Sequence, residues 1–206
     1  MDPHSNVSRL ETFCDGVFAI AITLLIIDIR APTHEAVGQG GLAAALLRQW
    51  PSYAAYLLSF AVIGIMWANH HNIFRYIARA NHVFLMLNVL LMLCTAFLPY
   101  PTAVLAAYLP VPSERTTAAL FYGATLTATA VVYNVVWRYA AHGRRLLKAE
   151  ADQRLVDAVT REYAFGPVTY AVATARERGG EPGGARRAGA AVRGADEGAA
   201  VTRAVA

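Results

Sequence analysis

Arg9-Leu10-Glu11-Thr12-Phe13-Cys14-Asp15-Gly16-Val17-Phe18-Ala19-Ile20-Ala21-Ile22-Thr23-Leu24-Leu25 opens with charges and places Asp15 at the mouth of an apolar run that meets no further charge until Asp28. A carboxylate at the start of a membrane-length helix is costly unless it is paired or hydrated. The helix that carries it is therefore expected to pack inside a bundle or to line a path, rather than only to anchor the chain.

The rest of the chain supports a membrane setting. Of its 206 residues, 56% are hydrophobic and 16% charged, against about 25% charged in soluble domains. The charges are segregated between long apolar runs, which is the pattern of an integral membrane protein and not of a soluble core. The formal net charge of +4 does not point to nucleic acid. The basic residues flank apolar spans and form no stripe with interleaved aromatics, so juxtamembrane arginine accounts for them. Cys14 and Cys94 lie in apolar segments outside any C-x-x-C pair, so neither a disulfide nor a metal is expected. Val17 to Ile29 has the length of a signal-peptide core. However, Asp15 interrupts it, no small-x-small site follows directly and further spans come later, so it is expected to be retained.

The expected fold is an all-α, polytopic transmembrane helix bundle. Span one runs from about Phe13 to Ile29 and stops before Pro32. It is short for a lipid-facing helix, which needs roughly 20 apolar residues, and shortness fits a helix shielded by neighbours. Arg30 to Gln49 reads as a loop with a turn-like cluster at Gly38, Gly40 and Gly41. Span two covers about Tyr53 to His70. Span three covers about Phe84 to Leu98, with Pro99 and Pro101 closing it, and span four about Thr116 to Tyr139. An incomplete fifth begins at Tyr163 and breaks off after Ala175 into an Ala/Gly/Arg-rich tail, 176–206, whose composition predicts disorder. With the N-terminus inside, Arg9, Arg75, Arg79, Arg138, Arg144, Arg145 and Lys148 share the inner side, leaving Arg30, Arg48 and Arg115 outside. The positive-inside rule thus places the N-terminus in the cytoplasm.

Within span one, Ile20, Thr23, Leu24 and Ile27 follow i, i+3, i+4, i+7 spacing and share one helical face. Gly16, Ala19 and Thr23 are small enough for close helix approach. Two readings stand: a packing face in a bundle, or an apolar constriction in which branched side chains from several subunits meet on an axis. Such a ring gates by dewetting, and the Thr23 hydroxyl can ligand a partly dehydrated ion. Asp15 also has a plain reading, as an acid in a first helical turn favoured by the dipole. His70 and His71 are adjacent, so they point to different helix faces and cannot chelate as i, i+4 ligands do. Hydrogen bonding to Asp15 or Asn88 is the expected role. Asn88 and Asn134 read as interhelical partners. No nucleotide loop, no G-x-S-x-G and no paired carboxylates at catalytic spacing occur, so the chain does not read as an enzyme.

The first-helix stretch, with its Arg9-x-x-x-Phe13-Cys14-Asp15 head, resembles the R-x-x-x-F-S-D signature of the transmembrane protein 175 potassium-channel family, prokaryotic type. Trp67-x-x-His70-His71-x-x-Phe74-Arg75 and Leu87-Asn88 leading to Phe97-Leu98-Pro99-Tyr100-Pro101-Thr102 are similar to further family segments. The resemblance covers about Ser8 to Pro167. It implies a potassium-selective leak-type channel in the cell membrane, a homotetramer of six-helix subunits with the first helix lining the pore. It implies no cofactor; the partners would be the bilayer, permeant potassium ions and further copies of the chain. Family pore positions fall on Ile20, Thr23, Leu24 and Ile27, with Ile20 at the main constriction. The family's bracing network would fall on Arg9, Phe13, Asp15, Trp67 and His71. On this resemblance residues 1–175 form the channel domain.

Two departures from the pattern matter. Cys14 stands where the family has serine, and a thiol bonds more weakly, so a looser bracing network is expected. The chain also leaves the family pattern at about Arg176, as a frame shift or degenerate C-terminus would produce. Two alternatives follow: a non-conducting truncated membrane remnant, or a proton/cation transporter using Asp15 and His71. The second is weakened by the lack of a deep intramembrane carboxylate and of inverted repeats.

Overall fold

A computed structural model describes residues 3–161 and Tyr163. The expected fifth span, apart from Tyr163, and the tail 176–206 lie outside the described residues. The helices are α1 (Pro3–Leu24), α2 (His34–Val37), α3 (Gly41–Arg48), α4 (Trp50–Phe74), α5 (His82–Phe97), α6 (Pro99–Tyr108) and α7 (Arg115–Ala141), followed by a helical segment 153–161. Four stretches are long and apolar enough to cross a membrane: Asn6–Asp28, Trp50–Phe74, His82–Tyr108 and Arg115–Arg144.

The four expected spans are present, but three details differ. Span one is 23 residues long and is not short, because α1 continues for more than two turns on the N-terminal side of Phe13. Consequently Asp15 sits three turns inside the helix and cannot be a first-turn acid at the dipole. The connection from Arg30 to Gln49 is not a plain loop, since it holds α2 and α3. Thr33 caps α2 by accepting from the Ala36 amide at 3.3 Å, and Gly38 and Gly41 take φ of 44° and 74°, values that side-chain-bearing residues rarely adopt.

The third difference concerns the prolines. Pro99 and Pro101 do not close span three; α6 resumes at Pro99 and the span runs to Tyr108. Proline removes a backbone donor and breaks an α-helix, so the carbonyls it abandons need other partners in a bilayer. Pro99 cannot donate to the Thr95 carbonyl, and the Leu98 amide takes it instead at 3.2 Å; the Thr102 amide then bonds the Leu98 carbonyl at 3.2 Å in the ordinary helical register. The helix resumes as α6 directly after the break.

The described residues make four crossings, with α1 and α5–α6 running one way and α4 and α7 the other. α1 packs on α4 and α5, α5 on α7, and α6 on both α4 and α7. The largest buried side chains include Phe18, Ile63, Phe84, Leu91 and Trp137. At the end that carries the N-terminus, the α4–α5 connection is tied to the segment after α7. The Ala78 amide bonds the Leu146 carbonyl at 2.8 Å, and the Lys148 amide bonds the Tyr76 carbonyl at 2.9 Å. The Arg79 guanidinium donates to the Arg145 carbonyl at 2.9 and 3.1 Å. Arg144 itself adopts φ 53° and gathers the carbonyls of Lys148, Ala149 and Ala151.

Buried hydroxyls join three helices in the middle of the bundle. Thr102 donates to the Leu98 carbonyl at 2.8 Å, so its oxygen must accept from Ser59, 2.7 Å away. With its single proton so engaged, Ser59 accepts from the Tyr122 hydroxyl at 2.9 Å. The chain Tyr122 to Ser59 to Thr102 to the Leu98 carbonyl links α7, α4 and α6 at the proline break. Ser59→Ala should lower unfolding stability in mixed micelles by about 1 kcal/mol, because it removes the buried hydrogen bonds that Ser59 makes to Thr102 and Tyr122. Adding Tyr122→Phe should cost less than the sum of the two single changes.

Candidate functional site

α1 has two unlike sides. Val7, Leu10, Cys14, Phe18, Ala21 and Leu25 are buried and step round the helix in threes and fours toward α4 and α5. The opposite side carries Phe13, Gly16, Ala19, Ile20, Thr23 and Leu24, all exposed in the single chain. Ile20 is 60% and Leu24 41% accessible. A Cβ built on Gly16 would meet nothing within 4 Å, so among the described residues no helix occupies this side. The four residues of the expected face are therefore all uncovered, but Ile27 stands apart in geometry. The α-helix ends at Leu24 and tightens to a 3₁₀ turn over Leu25–Asp28. That change in pitch carries Ile27 roughly 40° further round the axis than an α-helix would, and it brings Ile26 to the surface as well.

The Thr23 hydroxyl donates to the carbonyls of Ala19 and Ile20, at 3.0 and 2.9 Å. Its proton is engaged with the backbone, so what the side chain presents outward is an oxygen lone pair. An oxygen of this kind suits a cation and offers nothing to an anion.

Beside this face α1 and α4 are joined by two polar rungs. The Trp67 indole N–H donates to Asp15 Oδ1 at 2.9 Å. One turn further toward the N-terminus of α1, His71 Nδ1 lies 3.2 Å from Glu11 Oε1. The rungs are spaced i, i+4 on both helices and run in opposite directions, which is the register of an antiparallel pair. The Trp67 and His71 rings stack with centroids 6.4 Å apart, 28° from parallel, so the rungs brace each other. Asp15, Trp67 and His71 thus come together as one constellation. Glu11 was missed in the sequence, although its i, i+4 relation to Asp15 matches that of Trp67 to His71 and was the available signal.

Arg9 and Phe13 take no part in these rungs. Arg9 makes no ion pair among the described residues, and with Phe13 it lines a groove between α1 and the start of α5. Cys14 faces the core with no accessible surface, on the side of α1 away from the open face. Its thiol belongs to core packing and is not a link in either rung.

His70, next to His71, points the other way, as adjacency requires. It is fully buried, its ring lies 4.6 Å from Phe74 and 5.4 Å from Phe18, and Nε2 is 3.1 Å from Asn88 Oδ1. Asn88 Nδ2 donates to the Phe84 carbonyl at 2.8 Å. That bond fixes the amide so that its oxygen faces the imidazole, and His70 must donate from Nε2. Asn134 donates to the Tyr163 carbonyl at 2.8 Å. Among the described residues no group of three or more His, Cys, Asp or Glu side chains could hold a metal.

The family described as endosomal/lysosomal potassium channel TMEM175 matches residues 9–99, the part that holds α1, α4, α5 and both rungs. A potassium channel of Chamaesiphon minutus is 50% identical over 171 residues, covering 83% of this chain and 84% of that protein. A potassium channel of Streptomyces collinus is 44% identical over 162 residues, 79% of this chain and 78% of that protein. The crystal structure of a lysosomal potassium-selective channel TMEM175 homolog from Chamaesiphon minutus superposes with a TM-score of 0.77 at 46% identity, over 84% of this chain and 87% of that one. With its four apolar spans and relatives of this identity over most of both lengths, the chain is a membrane protein and belongs to the TMEM175 channel family.

Proposed function

We propose that the chain forms a homotetrameric, potassium-selective channel in the cell membrane, with its N-terminus in the cytoplasm and its pore lined by α1. The observation that carries this reading is the company kept by the open face of α1. Polar side chains at membrane depth face protein or water, not lipid. Here Asp15, Trp67, Glu11 and the half-exposed His71 border a face that no helix among the described residues covers. That side of the bundle is therefore suited to other subunits and to a pore. The bacterial relatives named above are described as potassium channels.

In such a tetramer Ile20 and Leu24 would form apolar rings on the axis, where narrow hydrophobic rings exclude water until widened. Thr23, between them, would offer oxygen lone pairs to an ion that has shed part of its hydration shell. Ile27, beyond the change of pitch, would line a wider mouth. The orientation is supported by the cations. Arg75, Arg79, Arg144, Arg145 and Lys148 gather at the end that also carries Arg9, which the positive-inside rule assigns to the cytoplasm.

The decisive experiment is potassium flux through the reconstituted full chain in liposomes, with sodium as comparison ion and empty vesicles as control. Potassium-favouring, electrodiffusive flux is expected. No flux from well-folded protein would favour a non-conducting membrane protein, and saturable ion-coupled flux a transporter. Ile20→Asn should wet the constriction, raising flux and lowering the preference for potassium; unchanged currents would remove Ile20 from the pore. Thr23→Val should reduce potassium preference with little change in stability, since the hydroxyl bonds only its own helix. For the bracing, a double-mutant cycle of Asp15→Ala with Trp67→Phe, read as thermal stability of the assembled protein, should give a coupling of about 1–2 kcal/mol. A coupling near zero would mean the rung does not hold α1 in place.

A further inference from the structure

The turn between α6 and α7 carries a feature remote from α1. Tyr100 and Tyr108 on α6 and Phe121 on α7 line a cleft of about 580 Å³ together with Val104 and Glu114. The Tyr100 and Phe121 rings meet nearly at right angles, 81°, with centroids 6.0 Å apart. Phe97 packs behind both, at 5.6 and 6.4 Å. Two rings held square to one another make adjacent walls of a corner. Glu114 occupies the N-cap position of α7, yet its side chain makes no cap hydrogen bond, and among the described residues it forms no ion pair. Its carboxylate is thus an uncommitted negative charge on an aromatic cleft.

Aromatic faces attract cations through the ring quadrupole, and a primary ammonium also carries N–H donors that a carboxylate beside the rings can accept. A carboxylate beside them excludes phosphate or carboxylate ligands from the same spot and favours the same cation. The place of the cleft adds a second constraint. One span ends at Tyr108 and the next begins at Arg115, so Glu114 stands at the membrane surface. Tyr100, eight residues earlier on the helix, lies about 12 Å deeper. A site that runs from the surface down into the acyl region along Val104 and Phe121 is longer than any small free cation. The exposed Arg115, next to Glu114 in the chain, offers a positive charge at the same level. Adjacent negative and positive side chains complement a headgroup that carries both an ammonium and a phosphate.

We infer that this cleft binds the ethanolamine headgroup of an aminophospholipid from the leaflet opposite the N-terminus, with the ammonium held by Glu114 and the Tyr100, Tyr108 and Phe121 rings. The test is native mass spectrometry of the purified full chain with phosphatidylethanolamine or phosphatidylglycerol of the same acyl chains. Retention of phosphatidylethanolamine should exceed that of phosphatidylglycerol. Glu114→Gln and, separately, Tyr108→Leu should each reduce that excess by roughly fivefold, while the remote surface change Glu150→Gln should leave it intact. Equal retention of the two lipids, or an excess unaffected by both cleft variants, would overturn the proposal. Tetramethylammonium binding as tightly as the lipid would overturn the lipid assignment. A shift in subunit number in either cleft variant would make the cleft a subunit contact and would also overturn it. The readout is lipid retention and not flux, so the result stands apart from the pore reading.

Discussion

A carboxylate carried three turns into a membrane-spanning helix has to be held by protein, and the Asp15–Trp67 hydrogen bond is how this chain holds it. The consequences extend along both helices. Because the indole lies on α4, the bond fixes the rotation of α1 about its own axis as well as its distance from α4. Glu11 and His71, one turn along, repeat the constraint, and two rungs at i, i+4 spacing leave no freedom to slide by a residue. With the rotation set, Cys14, Phe18, Ala21 and Leu25 must enter the core, where Phe18 meets the His70 ring. The opposite residues must then face out. The composition of the open face thus follows from where one polar bond is made.

The same demand for satisfied polar groups organises the interior away from α1. His70 is tolerable in the core because Asn88 accepts its Nε2–H, and Asn88 is oriented because its own amide N–H reaches the Phe84 carbonyl. Ser59, Thr102 and Tyr122 form a directed chain that ends on the carbonyl of Leu98, at the proline break. In water such groups would simply be hydrated. In a bilayer the partner has to come from the protein, and here it does for His70 Nε2 and the three hydroxyls, while the buried His70 Nδ1 makes no hydrogen bond among the described residues.

Much of this was legible in the sequence, for a physical reason. Length and apolarity decide spans, so the four crossings could be read directly. The 3.6-residue period decides faces, so Ile20, Thr23 and Leu24 could be grouped, and His70 separated from His71. What could not be read depended on contacts between distant residues. Pro99 and Pro101 read as terminators because proline usually is one; here the Leu98 amide takes up the Thr95 carbonyl that Pro99 cannot reach, and the helix restarts. Ile27 was grouped by α-helical spacing, which the 3₁₀ turn at Leu25 invalidates. Glu11 was passed over because a lone acid near a helix start looks like a solvated residue until His71 is seen opposite. Arg9, which the family resemblance placed in the bracing, lies along a groove toward α5, a position that spacing along α1 could not disclose.

The open face also bears on what drives assembly. Lipid tails are as apolar as leucine, so exposing Ile20 and Leu24 to a bilayer costs little and their burial gains little. Hydrophobicity of that face cannot by itself bring copies of the chain together. The features that distinguish this side are the small residues Gly16 and Ala19, which permit close backbone approach, and the polar strip of Glu11, Asp15, Trp67 and His71, which lipid cannot satisfy. In the tetramer proposed above, recognition between subunits would rest on those residues, and the branched apolar side chains would be free of it. They could then set how readily water enters the axis. A ring that is not needed to hold the subunits together can be tuned in size without loss of assembly, which is the property a hydrophobic constriction requires.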